Sequence, residues 1–153
     1  MKQLLLIYHS QSGATDRMAQ AVLAGARDPA IEGVETRVLS PFAAGPDDVR
    51  AAAALILGTP ENFGYMSGAL KDFFDRIYYP CLEHTQGRPY ALFIKAGNDG
   101  RGAQASIERI ITGLRWRQVQ APVVAVGAVD SVALAACHEL GMVLAAGLEA
   151  GLF

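Results

Sequence analysis

This chain lacks an excess of charge of either sign, has only two cysteines and contains no unbroken apolar run long enough for a bilayer. Thirteen Lys and Arg against fifteen Asp and Glu leave a formal net charge of −2, which gives no hint of a polyanionic partner such as nucleic acid. Cys81 and Cys137 stand far apart without metal-type spacing. Two unlinked buried thiols in a reducing compartment are the expectation, with a single disulfide as the alternative. His84 and His138 have no partner pattern for a metal, so no metal site is expected. No stretch reaches the ~18 uninterrupted apolar residues that would argue a spanning helix. The Ala-rich C-terminal segment comes closest and is broken by His138 and Glu139. The first apolar run follows Met1, Lys2 and Gln3 directly, without the pattern of a signal peptide, and a cytoplasmic protein is expected.

What is present is a compact alternation. The 153 residues are 52% hydrophobic and 18% charged, enough for one substantial core and a single domain over 1–153. Residues 4–8 are an apolar run of the kind found in a strand buried on both faces. From Thr15 onward, Met18, Ala19, Val22, Leu23 and Ala26 share one helical face. Residues 34–39 (VETRVL) alternate like an outer strand, 47–53 suggest a short helix, and 54–59 (ALILGT) form a buried strand ended by Pro60. Ser67 is placed to cap a helix carrying Leu70, Phe73, Phe74 and Ile77, with Pro80 ending it or lying just beyond. Residues 90–94 (YALFI) are another buried strand. Ile107, Ile110, Ile111 and Leu114 mark a fourth helix, and residues 118–126 form a last strand that Pro122 confines to a sheet edge. Ser131 is expected to cap the final helix. Five strands, each followed by a helix, predict an α/β fold: a three-layer, doubly wound parallel sheet in the order 2-1-3-4-5. Its ligand site belongs at the carboxyl ends of the strands where the winding reverses.

Three loops leave that edge. The first holds Ser10, Gln11, Ser12, Gly13, Ala14 and Thr15, with hydroxyls and backbone N–H groups at a helix start and neither Lys nor Arg. Such a loop suits a monophosphate held by neutral donors, although an ordinary capped helix start has the same composition. The second, Pro60, Glu61, Asn62, Phe63 and Gly64 followed by Tyr65 and Met66, puts aromatics in a loop, where a planar ring can stack or where they fold back onto the core or a subunit contact. The third, Ala96, Gly97, Asn98, Asp99 and Gly100, has the composition of tight turns with positive φ, and its amides are able to bond ring carbonyls. Arg101 flanks it, as a solvated side chain or as a partner for nucleotide phosphates. His9 precedes the first loop and is expected to pack there.

These motifs resemble the flavodoxin-like family, specifically flavodoxins and the related FMN-dependent NAD(P)H:quinone and FMN reductases. Ser10-Gln11-Ser12-Gly13-Ala14-Thr15 is similar to the family's phosphate loop. Gly58 to Gly68, continuing as ALKDFFDR, looks like the reductases' isoalloxazine loop. The resemblance covers nearly the whole chain. It implies FMN as cofactor, with its phosphate at 10–15 and its ring between Pro60–Gly64 and the loop from Ala96 to Gly100. The chain is shorter than many of the reductases, has no long insertion for a separate nicotinamide pocket and lacks the acidity of many flavodoxins. The implied activity passes electrons from NAD(P)H through FMN to a quinone or similar small acceptor, without a side-chain nucleophile. A flavodoxin-type carrier and a flavodoxin-fold protein without enzymatic activity remain the alternatives. The resemblance also implies a homo-oligomer, dimer or tetramer, with Tyr65, Met66, Tyr78 and Tyr79 as candidate contacts.

Overall fold

The computed structural model describes residues 1–153. In chain order the elements are β1 (Lys2–Tyr8), α1 (Ala14–Ala26), β2 (Val34–Leu39), α2 (Pro46–Ala51), β3 (Ala54–Pro60), α3 (Gly68–Cys81), β4 (Pro89–Ala96), α4 (Arg101–Leu114), β5 (Arg117–Gln118), β6 (Val123–Val126) and α5 (Ser131–Glu149). Every strand pairing is parallel, and the order β2-β1-β3-β4 continues to β5 and β6, which both pair with β4.

The alternation of side chains along each strand feeds two cores. Leu5, Ile7, Leu55, Leu57 and Leu92 face α3 and α4, where Phe73, Phe74, Ile77, Ile107 and Ile111 close the layer. Leu4, Leu6, Ile56, Ala91 and Phe93 face the other way, onto Met18 and Val22 of α1 and Leu140 and Leu144 of α5. Burial on both faces is why these strands read as continuous apolar runs. Each fully buried Leu or Phe contributes about 1.5–3 kcal/mol of transfer free energy, so the central strands are the firmest part of the molecule.

The differences from the expected elements are local. The last strand is two short pieces, Arg117–Gln118 and Val123–Val126, because Pro122 has no N–H to donate and the chain leaves the ladder before it. Pro80 lies inside α3, which runs one residue further to Cys81; in the final turn, on the exposed side, its ring forfeits little. The second helix is Pro46–Ala51 and does not extend to residue 53. The N-cap of α5 is Asp130, whose carboxylate accepts from the Ala133 amide at 2.9 Å, and Ser131 is the first helical residue. At 19 residues with a mean hydropathy of 1.6 over its most apolar window, α5 is long and apolar enough to cross a bilayer. Here it lies along α1, with Cys137, Leu140, Leu144 and Leu148 buried. Both cysteines are free and buried, as expected.

Candidate functional site

Parallel strands bring the loops after β1, β3 and β4 to one edge of the sheet. Gly13, at φ 92°, is the N-cap of α1 and turns the chain into the helix; a side chain would have open space there but not the conformation. The Ser10 hydroxyl oxygen accepts from the amides of Gly13 (3.2 Å) and Asp16 (3.1 Å), which closes the loop and leaves its proton free to donate outward. The amides of Ser12, Ala14 and Thr15 have no acceptor within the protein. Thr15 is 2% exposed and its hydroxyl makes no hydrogen bond. Free amides at a helix start together with spare hydroxyls form an anion cradle, and its neutral donors match a single phosphate group.

The Tyr8 hydroxyl donates to Asp16 Oδ1 at 2.5 Å. Burial, together with that carboxylate, pushes the Tyr8 phenol up to about 12, so it stays a donor at all ordinary pH. The pair fixes the direction of the Asp16 carboxylate, which otherwise stands close to the anion cradle. His9 gives its amide to the Gly58 carbonyl and lines the cavity beside the loop, with its Nδ1 buried without a partner. A cavity of about 500 Å³ opens in front of these groups, between Ser10, Gly13 and Asp16 on one side and Val38, Leu39 and Ser40 at the end of β2 on the other.

The loop after β3 is held from several directions. The buried Thr59 hydroxyl donates to the Pro60 carbonyl and accepts from the Ser67 amide, and Ser67 in turn caps α3 by accepting from Leu70 N–H. The Glu61 amide donates to the Lys95 carbonyl at 2.8 Å. Asn62 and Tyr65 exchange two backbone hydrogen bonds across Phe63 (φ 53°) and Gly64 (φ 68°), a two-residue turn of the I′ type. The Phe63 ring at its tip is wholly exposed. Glu61 Oε2 accepts from the Ala103 amide at 3.3 Å, so this carboxylate tethers the loop to the start of α4. Met66 N–H donates to Ser106 Oγ, and Gly102 packs directly against the Gly64 carbonyl, where a Cβ would come within 1.9 Å.

Ser10 to Thr15, Pro60 to Gly64 and Gly97 to Gly100 therefore lie along one edge. Ala96 departs from its expected place: it is the buried last residue of β4, and its carbonyl accepts from Gly127 N–H. Within the third loop only Gly100 has positive φ, as the N-cap of α4, while the Asp99 carboxylate accepts from the Arg101 amide. Arg101 is 88% exposed and faces Asp99 at 3.7 Å, a solvated side chain. Met66, a candidate surface residue by sequence, belongs to the core, because the turn at 62–65 swings it inward. The Tyr8–Asp16 bond and the Ser106 tether escaped the sequence reading. Only Asp16, acidic in a first turn beside a hydroxyl-rich loop, carried any signal of them.

The family model for NADPH-dependent FMN reductases matches residues 40–131, which include the loops after β3 and β4. The chain belongs to the NADPH-dependent FMN reductase family. Among its relatives it is 33% identical over 114 residues to a flavodoxin of Aquifex aeolicus, covering 74% of this chain and 60% of that protein. It is 32% identical over 130 residues to an NAD(P)H dehydrogenase (quinone) of Archaeoglobus fulgidus, covering 70% and 68%. An archaeal flavodoxin structure superimposes with a TM-score of 0.80 at 21% identity, over 96% of this chain and 99% of the other, which places the fold as flavodoxin-like. The chain spans only part of several curated relatives, 46% in the case of an NAD(P)H dehydrogenase (quinone) of Geobacter sulfurreducens. Two of this family member's three edge loops thus fall inside the matched segment, and the anion cradle lies before it.

Proposed function

We propose that this protein binds FMN along the carboxyl edge of β1, β3 and β4 and passes electrons from NAD(P)H to a quinone or similar small acceptor. The observation that carries the reading is the cradle at residues 10–15. Three free amides and the unpartnered Thr15 hydroxyl lie at a helix start in a loop without Lys or Arg, the donor set for one phosphate monoester. FMN fits that set, with the ring falling between Pro60–Gly64 and Gly97–Gly100. Held there, FMN would supply the hydride-accepting and electron-donating chemistry. The residues of the chain bind and orient. Ser10, Ser12 and Thr15 donate to the phosphate, Tyr8 holds the Asp16 carboxylate in one direction, and the tethers from Glu61 and Ser106 keep the loop after β3 in register with α4.

A flavodoxin-type carrier is the second reading, favoured by the Aquifex aeolicus relative. The test is the visible spectrum of purified protein, before and after adding FMN and then NADPH or NADH under argon. Prompt bleaching of bound flavin supports the reductase; a bound flavin that stays oxidised supports the carrier. A protein that takes up no flavin refutes both and leaves a fold without its cofactor. We extend the reading to a single domain over 1–153 and to a homo-oligomer, dimer or tetramer. A reducing, cytoplasmic setting agrees with the two free, buried thiols.

A further inference from the structure

A groove of about 540 Å³ leaves the edge of the site and runs along the seam between α3 and α4, past Tyr65, Lys71, Gly102, Ser106 and Arg109. A second hollow, about 240 Å³, continues it beyond the shared Lys71 and Ile110 toward Tyr78 and Tyr79. The near end is built from the loops that wall the proposed ring site, since Tyr65 closes the turn at 62–65 and Gly102 touches the Gly64 carbonyl. Gly102, Ser106 and Arg109 follow the i, i+4, i+7 spacing of one α4 face, so a ligand lying on that face meets all three. Seven residues at 1.5 Å put Arg109 roughly 10 Å along the helix from the ring loops.

Chemistry changes along that path. Tyr65 and Gly102 belong to the ring-loop end, Lys71 and Arg109 line the groove as well, and Asp75 lines the hollow beyond. Lys71 Nζ is engaged by Asp75 Oδ1 at 2.6 Å. Arg109 has no acidic partner: the four ion pairs of the molecule involve other residues, and its guanidinium makes no hydrogen bond. A free, exposed guanidinium roughly 10 Å along the helix from the proposed ring loops is what a ligand with a flat reactive ring at one end and phosphate further along requires. Arg101, the cation nearest the ring loops in sequence, does not line the groove.

We propose that the α3–α4 groove is the track of the nicotinamide dinucleotide, with Arg109 binding one of its phosphates. The inference rests on the reading above, since it supplies the donor side of the same site. The phosphate is either the pyrophosphate, common to NADH and NADPH, or the 2′-phosphate of NADPH alone. Calorimetric titration of NAD⁺ and NADP⁺ into wild type, Arg109→Ala and Arg109→Lys separates them and needs no turnover. Loss of the guanidinium is expected to weaken binding about tenfold, with Arg109→Lys recovering part of it. Weakening of both nucleotides assigns the pyrophosphate, and weakening of NADP⁺ alone assigns the 2′-phosphate. Equal affinities in wild type and a folded Arg109→Ala protein, or no nucleotide binding by wild type, overturn the proposal. Failure of the FMN reading is visible separately, as absence of flavin uptake in the spectrum of the same wild-type sample.

Discussion

Phe63 holds a left-handed backbone at φ 53° with its ring wholly in solvent, so the protein carries a strained residue that makes no packing contact of its own. Asn tolerates that conformation, and Asn-Gly is the favoured pair for a turn of this type. Phe63→Asn should therefore stabilise the protein by roughly 0.5–1 kcal/mol in urea unfolding while weakening FMN binding, because the aromatic surface beside the ring is gone. A variant with unchanged FMN affinity would remove Phe63 from the ring site. In the cradle the three hydroxyls are not equivalent. Ser10 already accepts two loop amides, so its removal would disturb the loop itself. Ser12 and Thr15 make no internal hydrogen bond, and their joint replacement by Ala tests the ligand without that complication. Each charge-assisted hydrogen bond to phosphate is worth ~1.5–3 kcal/mol, so FMN affinity should fall by at least a hundredfold. Fluorescence titration of FMN into the folded double variant decides it.

At the scale of elements, the contact between α1 and α5 depends on two glycines facing opposite backbones. A Cβ on Gly141 would lie 1.9 Å from the Val22 carbonyl oxygen, and one on Gly25 would lie 1.9 Å from that of His138. Backbone cannot rotate away as a side chain can, so Gly141→Ala must push the helices apart. The expected cost is about 1–3 kcal/mol despite the better helix propensity of Ala, read as a lower urea midpoint. An unchanged midpoint would mean that this helix pair is not tightly packed in solution. Neither glycine was legible in the sequence, because the constraint lies between residues more than a hundred positions apart. What was legible came from local rules. β1, β3 and β4 are buried on both faces and so announce themselves as unbroken apolar runs, while Ser67 declares the start of α3. The edge was harder to read, since a strand with one neighbour tolerates the break that Pro122 makes between β5 and β6. In the site, residue types gave the cradle and the aromatic loop. The Met66–Ser106 bond joins separate stretches of chain and leaves no pattern in either one, while the Tyr8–Asp16 bond left only an acidic residue in a first turn.

For the molecule as a whole, alkaline pH is where stability should be lost first. Burial pushes the Cys137 thiol from its ordinary 9.0 up to about 11, and Tyr8 from 10.0 to about 12. Cys81 and Tyr90 are raised in the same direction, chiefly by desolvation. Each of these acids is neutral when protonated, so the folded state keeps its protons at pH values where the unfolded chain has released them. With fewer protons on the unfolded state, the stability slope with pH is negative. The contribution is fully present below the unfolded pKa values and is lost as pH rises, from about 9 to 11 for Cys137 and from about 10 to 12 for Tyr8. Cys137→Ala should lower the urea midpoint at pH 8, because a buried group is removed from the α5 core. It should also reduce the further fall between pH 8 and pH 10.5, because one proton linked to unfolding has gone. Parallel profiles for wild type and variant would show that Cys137 does not contribute to the alkaline limb and would leave it to Tyr8, Cys81 and Tyr90. The two cores predict how that limb should divide. Cys137 packs with α1 and α5, and Cys81 and Tyr90 lie across the sheet with α3 and α4, so a variant of one thiol should leave the titration of the other in place.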